Sequence, residues 1–383
     1  MSFLSKRIKL NRNEVSGAFG DIGTDLPLIV GMLMATQMQT ANVLVVYGFM
    51  QIMTAFLYGI PMPVQPLKAV AMIVITQKIS ASVIWGGGLA IGAVMLVLTL
   101  SGLIAWMGKV IPKTVIRGIQ MGLGIQLALL ALKDYIPSDG YIGYIFAGIG
   151  FIISLVLIGN RKYPPALLIL GIGLIYLFVF NPAGIKGLGL NVPVFMIPDF
   201  EWDDIVTGFL VLAIPQIPLS LGNSVFATKQ LAHDYFPEKK VSYTKIGLTY
   251  SFMNLISPLL GGIPTCHGSG GIAGHYTFGG RTGGSTLIYG VFYLILGFFF
   301  SGEGAANIML FPKPILGVIL MFEGFALILL VKDIITDKKM FLISVIVAIC
   351  ANGLPHGYLI GMLLGIAIYY LSNKVFLKHF GKS

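Results

Sequence analysis

Apolar runs of about 20 residues, long enough to cross roughly 30 Å of hydrocarbon as helices, recur from one end of the chain to the other. Short polar, glycine-rich or proline-rich breaks separate them, and the pattern predicts fourteen segments: 15–36, 42–60, 64–78, 83–108, 112–132, 141–160, 163–180, 203–228, 243–261, 266–279, 284–301, 312–332, 338–352 and 356–374. The third and tenth are too short to cross at 1.5 Å per residue. They are expected as half-helices enclosed by other helices, since irregular backbone survives at membrane depth only inside protein. The predicted fold class is an all-α membrane protein with 14 transmembrane segments, its outer face in contact with the lipid bilayer.

Positive charge sorts along this pattern. With the N-terminus cytoplasmic, inner loops, flanks and tails collect Lys6, Arg7, Lys9, Arg12, Lys109, Lys113, Arg117, Arg161, Lys162, Lys229, Lys239, Lys240, Lys245, Arg281, Lys332, Lys338, Lys339, Lys374, Lys378 and Lys382. The outer side holds Lys78, Lys133, Lys186 and Lys313, and Lys68 lies within the third segment. This bias is the positive-inside pattern, and it predicts both termini in the cytoplasm of a multi-pass cell-membrane protein.

The two halves, 1–180 and 203–383, resemble each other. FGD at 19–21 matches LGN at 221–223, GIP at 59–61 matches GIP at 262–264, and IPKTVIRGIQMGLGIQLALL at 111–130 matches FPKPILGVILMFEGFALILL at 311–330. Self-similarity over half the length marks a duplicated transporter. Seven segments is an odd number, so the second copy enters from the opposite side, and the expected architecture is a 7+7 inverted repeat. Lys113 then faces inward and its equivalent Lys313 outward, in agreement with the charge pattern.

Composition removes other classes. Of 383 residues 56% are hydrophobic and 10% charged, with mean hydropathy +0.89, too little charge to cover a soluble domain of this size. The net charge of +10 is dispersed between apolar runs, so nucleic acid is not an expected partner. MSFLSKRIKLNRNEVSGAFGD has no apolar stretch leading to a small-residue cleavage site, so no removable signal peptide is expected. Cys266 and Cys350 are too few for a disulfide framework or a thiolate metal site. No metal and no cofactor are expected.

The chemistry concentrates at the two short segments. In YGIPMPVQPLKAVAMIVI (58–75), Pro61, Pro63 and Pro66 hold their predecessors extended. A helix is expected to start inside the membrane with Gln65 at its cap, Pro66 at its first position and Lys68 in its first turn. In the equivalent GGIPTCHGSGGIAGHYTFGG (261–280), Pro264 breaks the chain and Gly268, Gly270 and Gly271 expose backbone N–H groups beside His267 and Ser269. An inverted repeat points these two helix starts at one another. Each carries about half a positive charge and free donors, which together with a lysine make a dry anion site. The bland alternatives are ordinary kinks for the proline and glycine clusters and snorkelling for Lys68.

Polar breaks in the first and eighth segments add candidates. GAFGDIGTDLP (17–27) supplies Gly20, Asp21, Thr24 and Asp25; IPQIPLSLGNSVFATKQ (214–230) supplies Gln216, Ser220 and Asn223, the last equivalent to Asp21. Ionisable groups inside spans are functional candidates, because burying them costs several kcal/mol. Asp21 reads either as a partner of Lys68 or as a proton carrier. Asp25 is expected nearer the outer third, where it is either hydrated or a coupling group, and Glu323 in the twelfth segment is a second possible coupling group. His267 reads as hydrogen-bonded to a nearby carbonyl or as a pH-coupled group. Gln120 is expected on the opposite wall.

GAFGDIGTDLP, PMPVQPLKA, QIPLSLGN and CHGSGGIAGHYTFGGRTGG resemble the motifs of the molybdate transporter family within the sulfate permease superfamily, over nearly the whole chain. The resemblance implies the seven-plus-seven fold shared with uracil and purine permeases. It implies a core domain (segments 1–4 and 8–11) sliding against a gate domain (segments 5–7 and 12–14), an elevator form of alternating access. It further implies a small oxyanion, molybdate or sulfate, bound near Gln65, Pro66, Lys68, His267, Gly268 and Ser269. A homodimer and coupled protons, that is symport, belong to the same expectation. Sulfate permeases usually carry a soluble C-terminal STAS domain; nine residues follow the last segment here, so none is expected. Asp25 and Glu323 depart from the family pattern and leave the coupling ion open.

Three rival readings remain. A nucleobase permease on the same fold needs a carboxylate for the base edge, and TCHGSGG offers none. An anion channel would differ by unsaturable conductance. An intramembrane aspartyl protease needs G-x-G-D and a second aspartate, whereas the chain reads G-A-F-G-D.

Overall fold

The computed structural model describes residues 7–36, 38–157, 165–180, 197–299 and 311–380. Lys6, Arg161, Lys162, Lys186 and Lys382 of the charge pattern lie outside the described residues, as do the expected segment ends at 158–160, 163–164 and 300–301.

Asn11 caps α1 (Arg12–Ala18), its side chain accepting from the Asn13 and Glu14 amides. The chain breaks at Phe19-Gly20-Asp21 and resumes as α2 (Ile22–Thr36), bent 41° from α1. Helix α3 (Thr40–Tyr58) ends where Gly59 takes the left-handed conformation at φ 66, a turn open to glycine at no steric cost. The three prolines then hold the backbone extended through β1 (Val64–Pro66) before α4 (Lys68–Gln77), which at ten residues reaches only about 15 Å. The first half continues through α5 (Ala81–Leu100), α6 (Leu103–Val110), α7 (Lys113–Leu130), α8 (Gly140–Val156) and α9 (Pro165–Phe180).

The second half opens with one helical run, Trp202–Tyr235, comprising α10 (Trp202–Gly208), α11 (Ile214–Leu219) and α12 (Thr228–Tyr235). Wide π-turns at Phe209–Ala213 and Ser220–Ala227 join them, flanking Pro215 and Pro218, which lack the N–H an α-turn needs. Helix α13 (Tyr243–Ile256) is followed by β2 (Thr265–His267), α14 (Ser269–Thr277), α15 (Gly283–Phe299), α16 (Lys313–Leu329), α17 (Lys338–Gly353) and α18 (Gly357–Phe380).

Helix α3 lies along α15, α5 packs on α10 and α13, and α7 sits between α16 and α17. The α7–α16 crossing brings backbones together at glycines: a Cβ on Gly124 would stand 2.4 Å from the Gly324 carbonyl oxygen, and one on Gly324 2.6 Å from that of Gly124. Glu14 fixes the start of α15, where its carboxylate accepts from the amides of Arg281 (3.1 Å), Thr282 (2.9 Å) and Ser285 (3.0 Å). A negative charge there complements the helix dipole.

Among the described residues five runs are long and apolar enough to cross a bilayer: Thr40–Tyr58, Ala81–Leu100, Lys113–Val156, Trp202–Tyr235 and Lys313–Asp333. The bent pair α1–α2 makes a sixth. Phe49, Leu100, Ile152, Leu342 and Leu363 stand more than half exposed, a distribution that suits hydrocarbon rather than water. The chain is a multi-pass membrane protein.

Candidate functional site

The two short segments meet. Strands β1 and β2 pair antiparallel, with Val64 opposite His267, Gln65 opposite Cys266 and Pro66 opposite Thr265; the Leu67 amide extends the ladder to the Pro264 carbonyl at 3.1 Å. Helices α4 and α14 therefore start from opposite ends of one buried ribbon. Two side-chain amides brace it. Gln51 on α3 donates to the Val64 carbonyl (2.8 Å) and accepts from its amide (2.9 Å). Asn254 on α13 does the same for Thr265, at 2.6 and 3.0 Å. The Tyr47 hydroxyl also donates to the Val64 carbonyl.

The ribbon corrects one expectation. Gln65 and Pro66 are strand residues, and α4 begins at Lys68 with Leu67 as its cap. Strand pairing satisfies the extended backbone that the prolines impose, so the helix waits for the first residue beyond it. Gln216 then caps α4: its Oε1 accepts from the amides of Ala69 (3.0 Å) and Val70 (3.2 Å), while its Nε2 donates to the Ser220 hydroxyl at 3.0 Å. Ser220 in turn shares a 2.6 Å hydrogen bond with the Tyr250 hydroxyl.

Of the two readings of Asp21, the pairing with Lys68 is not the one found: Asp21 takes both hydrogen bonds from Gln65 Nε2, at 2.6 and 2.8 Å, with the Thr24 hydroxyl as a further partner. Lys68 pairs with Glu323 at 2.8 Å. The reason is geometric: Lys68 begins α4 and projects toward α16, while Gln65, in the strand, projects toward the α1–α2 break. Lys68 is 2% exposed and Glu323 18%, so the lysine has given up water while its partner keeps some.

The start of α14 is open. Gly268 caps it, and Ser269 donates its hydroxyl to Asn223 Oδ1 at 2.8 Å, which also accepts from Gln120 Nε2 at 3.3 Å. Gly270 is exposed within an otherwise buried stretch. A Cβ there would meet Glu323 Oε1 at 3.8 Å, and one on Gly271 would meet Asp21 Oδ2 at 2.4 Å. Both carboxylates thus lie against the positive end of α14. A cavity of about 530 Å³ reaches Ser269 from the Lys113 end of α7, past Arg117, Gln120, Phe226 and Asp333. Arg117 is engaged there with Asp333 (Nη2 to Oδ2, 2.5 Å) and Gln120 (2.9 Å).

Three further candidates have surroundings of their own. Asp25 is fully buried, which removes the hydrated reading; it accepts from the Tyr289 hydroxyl at 3.0 Å, because α2 is walled by α15 and α3 tyrosines. His267 has Nε2 2.7 Å from the Thr249 hydroxyl, its ring edge-on to Tyr58 and the Pro63 backbone as a further partner, in keeping with the hydrogen-bonded reading; strand alternation puts it on the face opposite Cys266. Gly20 lets the α1–α2 break approach the backbone of Gly274, and so serves packing.

Sequence reasoning missed Tyr47, Gln51, Tyr250 and Asn254. Their signal was present: YGFMQ at 47–51 recurs as YSFMN at 250–254, at the offset of 203 that relates the two GIP triplets.

The sequence pattern described as "Molybdate transporter of MFS superfamily" matches residues 13–127 and 208–327. Molybdate transporter 2 of Arabidopsis thaliana is 32% identical over 96% of this chain and 89% of its own length; molybdate transporter 1 of the same plant is 30% identical over 93% and 88%. Among solved structures, the transmembrane domain of the cyanobacterial bicarbonate transporter BicA superposes with a TM-score of 0.65 at 16% identity, over 94% of this chain and 98% of that one. Murine Slc26a9, an anion transporter in its inward-facing state, gives 0.69 at 14%, over 97% and 70%. At such identities the likeness is one of fold.

Proposed function

This chain belongs to the molybdate transporter family, and we propose that it carries molybdate, with sulfate as the next candidate, by binding the dianion between the starts of α4 and α14. One observation carries the reading. Lys68 Nζ and the open first turn of α14 converge on a single point, 2.8 Å from the lysine and 3.8 Å from the Cβ position of Gly270, where a carboxylate oxygen already sits. A lysine, a helix start and a reachable cavity form the combination that selects a compact anion over a neutral solute.

In this reading the chain crosses the membrane fourteen times as a 7+7 inverted repeat, termini in the cytoplasm. Support comes from equivalent residues in equivalent jobs: Gln51 and Asn254 brace the two strands, and Gly124 and Gly324 face each other. The packing of α3 on α15 is matched by α13 on α5. The helices around the ribbon form the core that moves as an elevator against the gate helices. Gln216 and Asn223 hold the two helix starts ready, Gln65, Gly268, Ser269 and Gly270 shape the pocket, and Asp21, Asp25 and Glu323 are the groups through which protons would couple.

Reconstituted protein should take up labelled molybdate into liposomes with saturation, and excess unlabelled molybdate but not uracil should compete. Lys68→Gln should abolish saturable uptake. Wild-type uptake by Lys68→Glu would refute the assignment.

A further inference from the structure

Resting on that reading, we propose that Glu323 is the resident occupant of the anion site: its carboxylate holds Lys68 when no oxyanion is bound, and an oxyanion binds by displacing it. Three features carry the proposal. The carboxylate contacts Lys68 through one oxygen only, at 2.8 Å, and the same oxygen lies 3.8 Å from the Cβ position of Gly270, so it stands where a bound oxyanion would have to stand. Glu323 is also the more exposed partner, 18% against 2% for Lys68; it can turn into water, whereas the lysine cannot leave. Finally, α16 is held at the crossing by the neighbouring residue, Gly324, against Gly124. The helix therefore stays while the side chain swings.

Asp21 cannot fill this role. It is 3% exposed and both its oxygens accept from Gln65, so it is satisfied without the lysine. With Glu323 ionised, Lys68 already faces one negative charge, and an arriving dianion would bring that to three. Like charges around one buried cation disfavour binding, and Glu323 is the charge that can withdraw. The arrangement makes Glu323 a determinant of affinity: it keeps Lys68 paired in the empty protein, where an uncompensated buried charge would be costly, and it opposes substrate for the same contact.

The test is equilibrium binding of labelled molybdate to purified protein in detergent at one pH, with uptake by reconstituted protein alongside. Glu323→Gln removes the competing charge, so molybdate should bind about tenfold tighter, and KM and Vmax should fall together as tighter ground-state binding slows release. The unfolding temperature of Glu323→Gln should be lower than wild type without ligand and recover on adding molybdate. Glu323→Asp, which retains the charge but retracts it, should tighten binding by a smaller factor. Unchanged or weaker binding by both variants, with binding lost in Lys68→Gln, would overturn the proposal and leave the site assignment standing. Wild-type binding by Lys68→Gln would overturn both.

Discussion

Gly270 and Gly271 are neighbours in the first turn of α14, yet an added methyl should have opposite effects at the two positions. On Gly271 a Cβ would stand 2.4 Å from Asp21 Oδ2 and 2.6 Å from Pro63 Cγ, against an ordinary contact of 3.4–4 Å. Neither neighbour yields easily. The proline ring is part of the extended run into β1, and Asp21 is tied to Gln65 by bonds of 2.6 and 2.8 Å. Overpacking of this kind costs about 1–3 kcal/mol, and losing a charged hydrogen bond about 1.5–3 kcal/mol. Alanine returns about 1 kcal/mol of helix propensity, so Gly271→Ala should destabilise by about 2–5 kcal/mol. On Gly270 the nearest atom to a new Cβ is Glu323 Oε1 at 3.8 Å, so Gly270→Ala should keep or slightly raise stability. Melting of purified protein in detergent, followed by size-exclusion recovery after heating, measures both. Equal melting temperatures for the two variants would mean that Asp21 does not lie against α14, and the site geometry would be wrong.

Much of this was legible in the chain itself, for a reason particular to membranes. Hydrocarbon requires every backbone group to be satisfied within its own segment, so apolar length translates directly into helix, and the bounds of α3, α7, α15 and α17 fall within a few residues of the apolar runs. The short segments were legible as breaks because proline and glycine act locally. Their pairing into a ribbon was not, since the partner of Val64 lies 203 residues away and three-residue strands have no period to read. The ion pair of Lys68 was hidden for the same reason. Asp21 was the candidate partner and Glu323 only a possible coupling group; that Glu323 meets the lysine depends on how α16 crosses α7, a crossing set by two glycines. The burial of Asp25 was not legible, because position along a helix says nothing about which neighbours wall a residue in; three tyrosines from α3 and α15 gather around it. The tyrosine and amide braces of the ribbon are readable in the match of YGFMQ to YSFMN.

Two further outcomes follow from the packing. Glu14→Gln replaces one oxygen that receives backbone N–H groups with an NH₂ group facing them, so it should cost about 3 kcal/mol, read as a lower melting temperature with the helix content of the remaining folded fraction unchanged. Gly124→Val places a side chain against the Gly324 carbonyl, 2.4 Å from its Cβ. Neither backbone can give, so it should destabilise by about 3 kcal/mol or more, whereas Gly148→Val, which meets nothing within 4 Å, should be tolerated; equal recovery of the two from detergent extracts would contradict the crossing.

The claim on which the account turns is where the oxyanion rests, and tungstate, a tetrahedral dianion like molybdate with strong anomalous scattering, locates it directly. In a structure of the protein with tungstate, the account predicts one dominant anomalous peak within about 4 Å of Lys68 Nζ and of the first amides of α14, the range of a charged contact, with the Glu323 carboxylate turned away. A saturating peak elsewhere, with Lys68 still paired to Glu323, would contradict it.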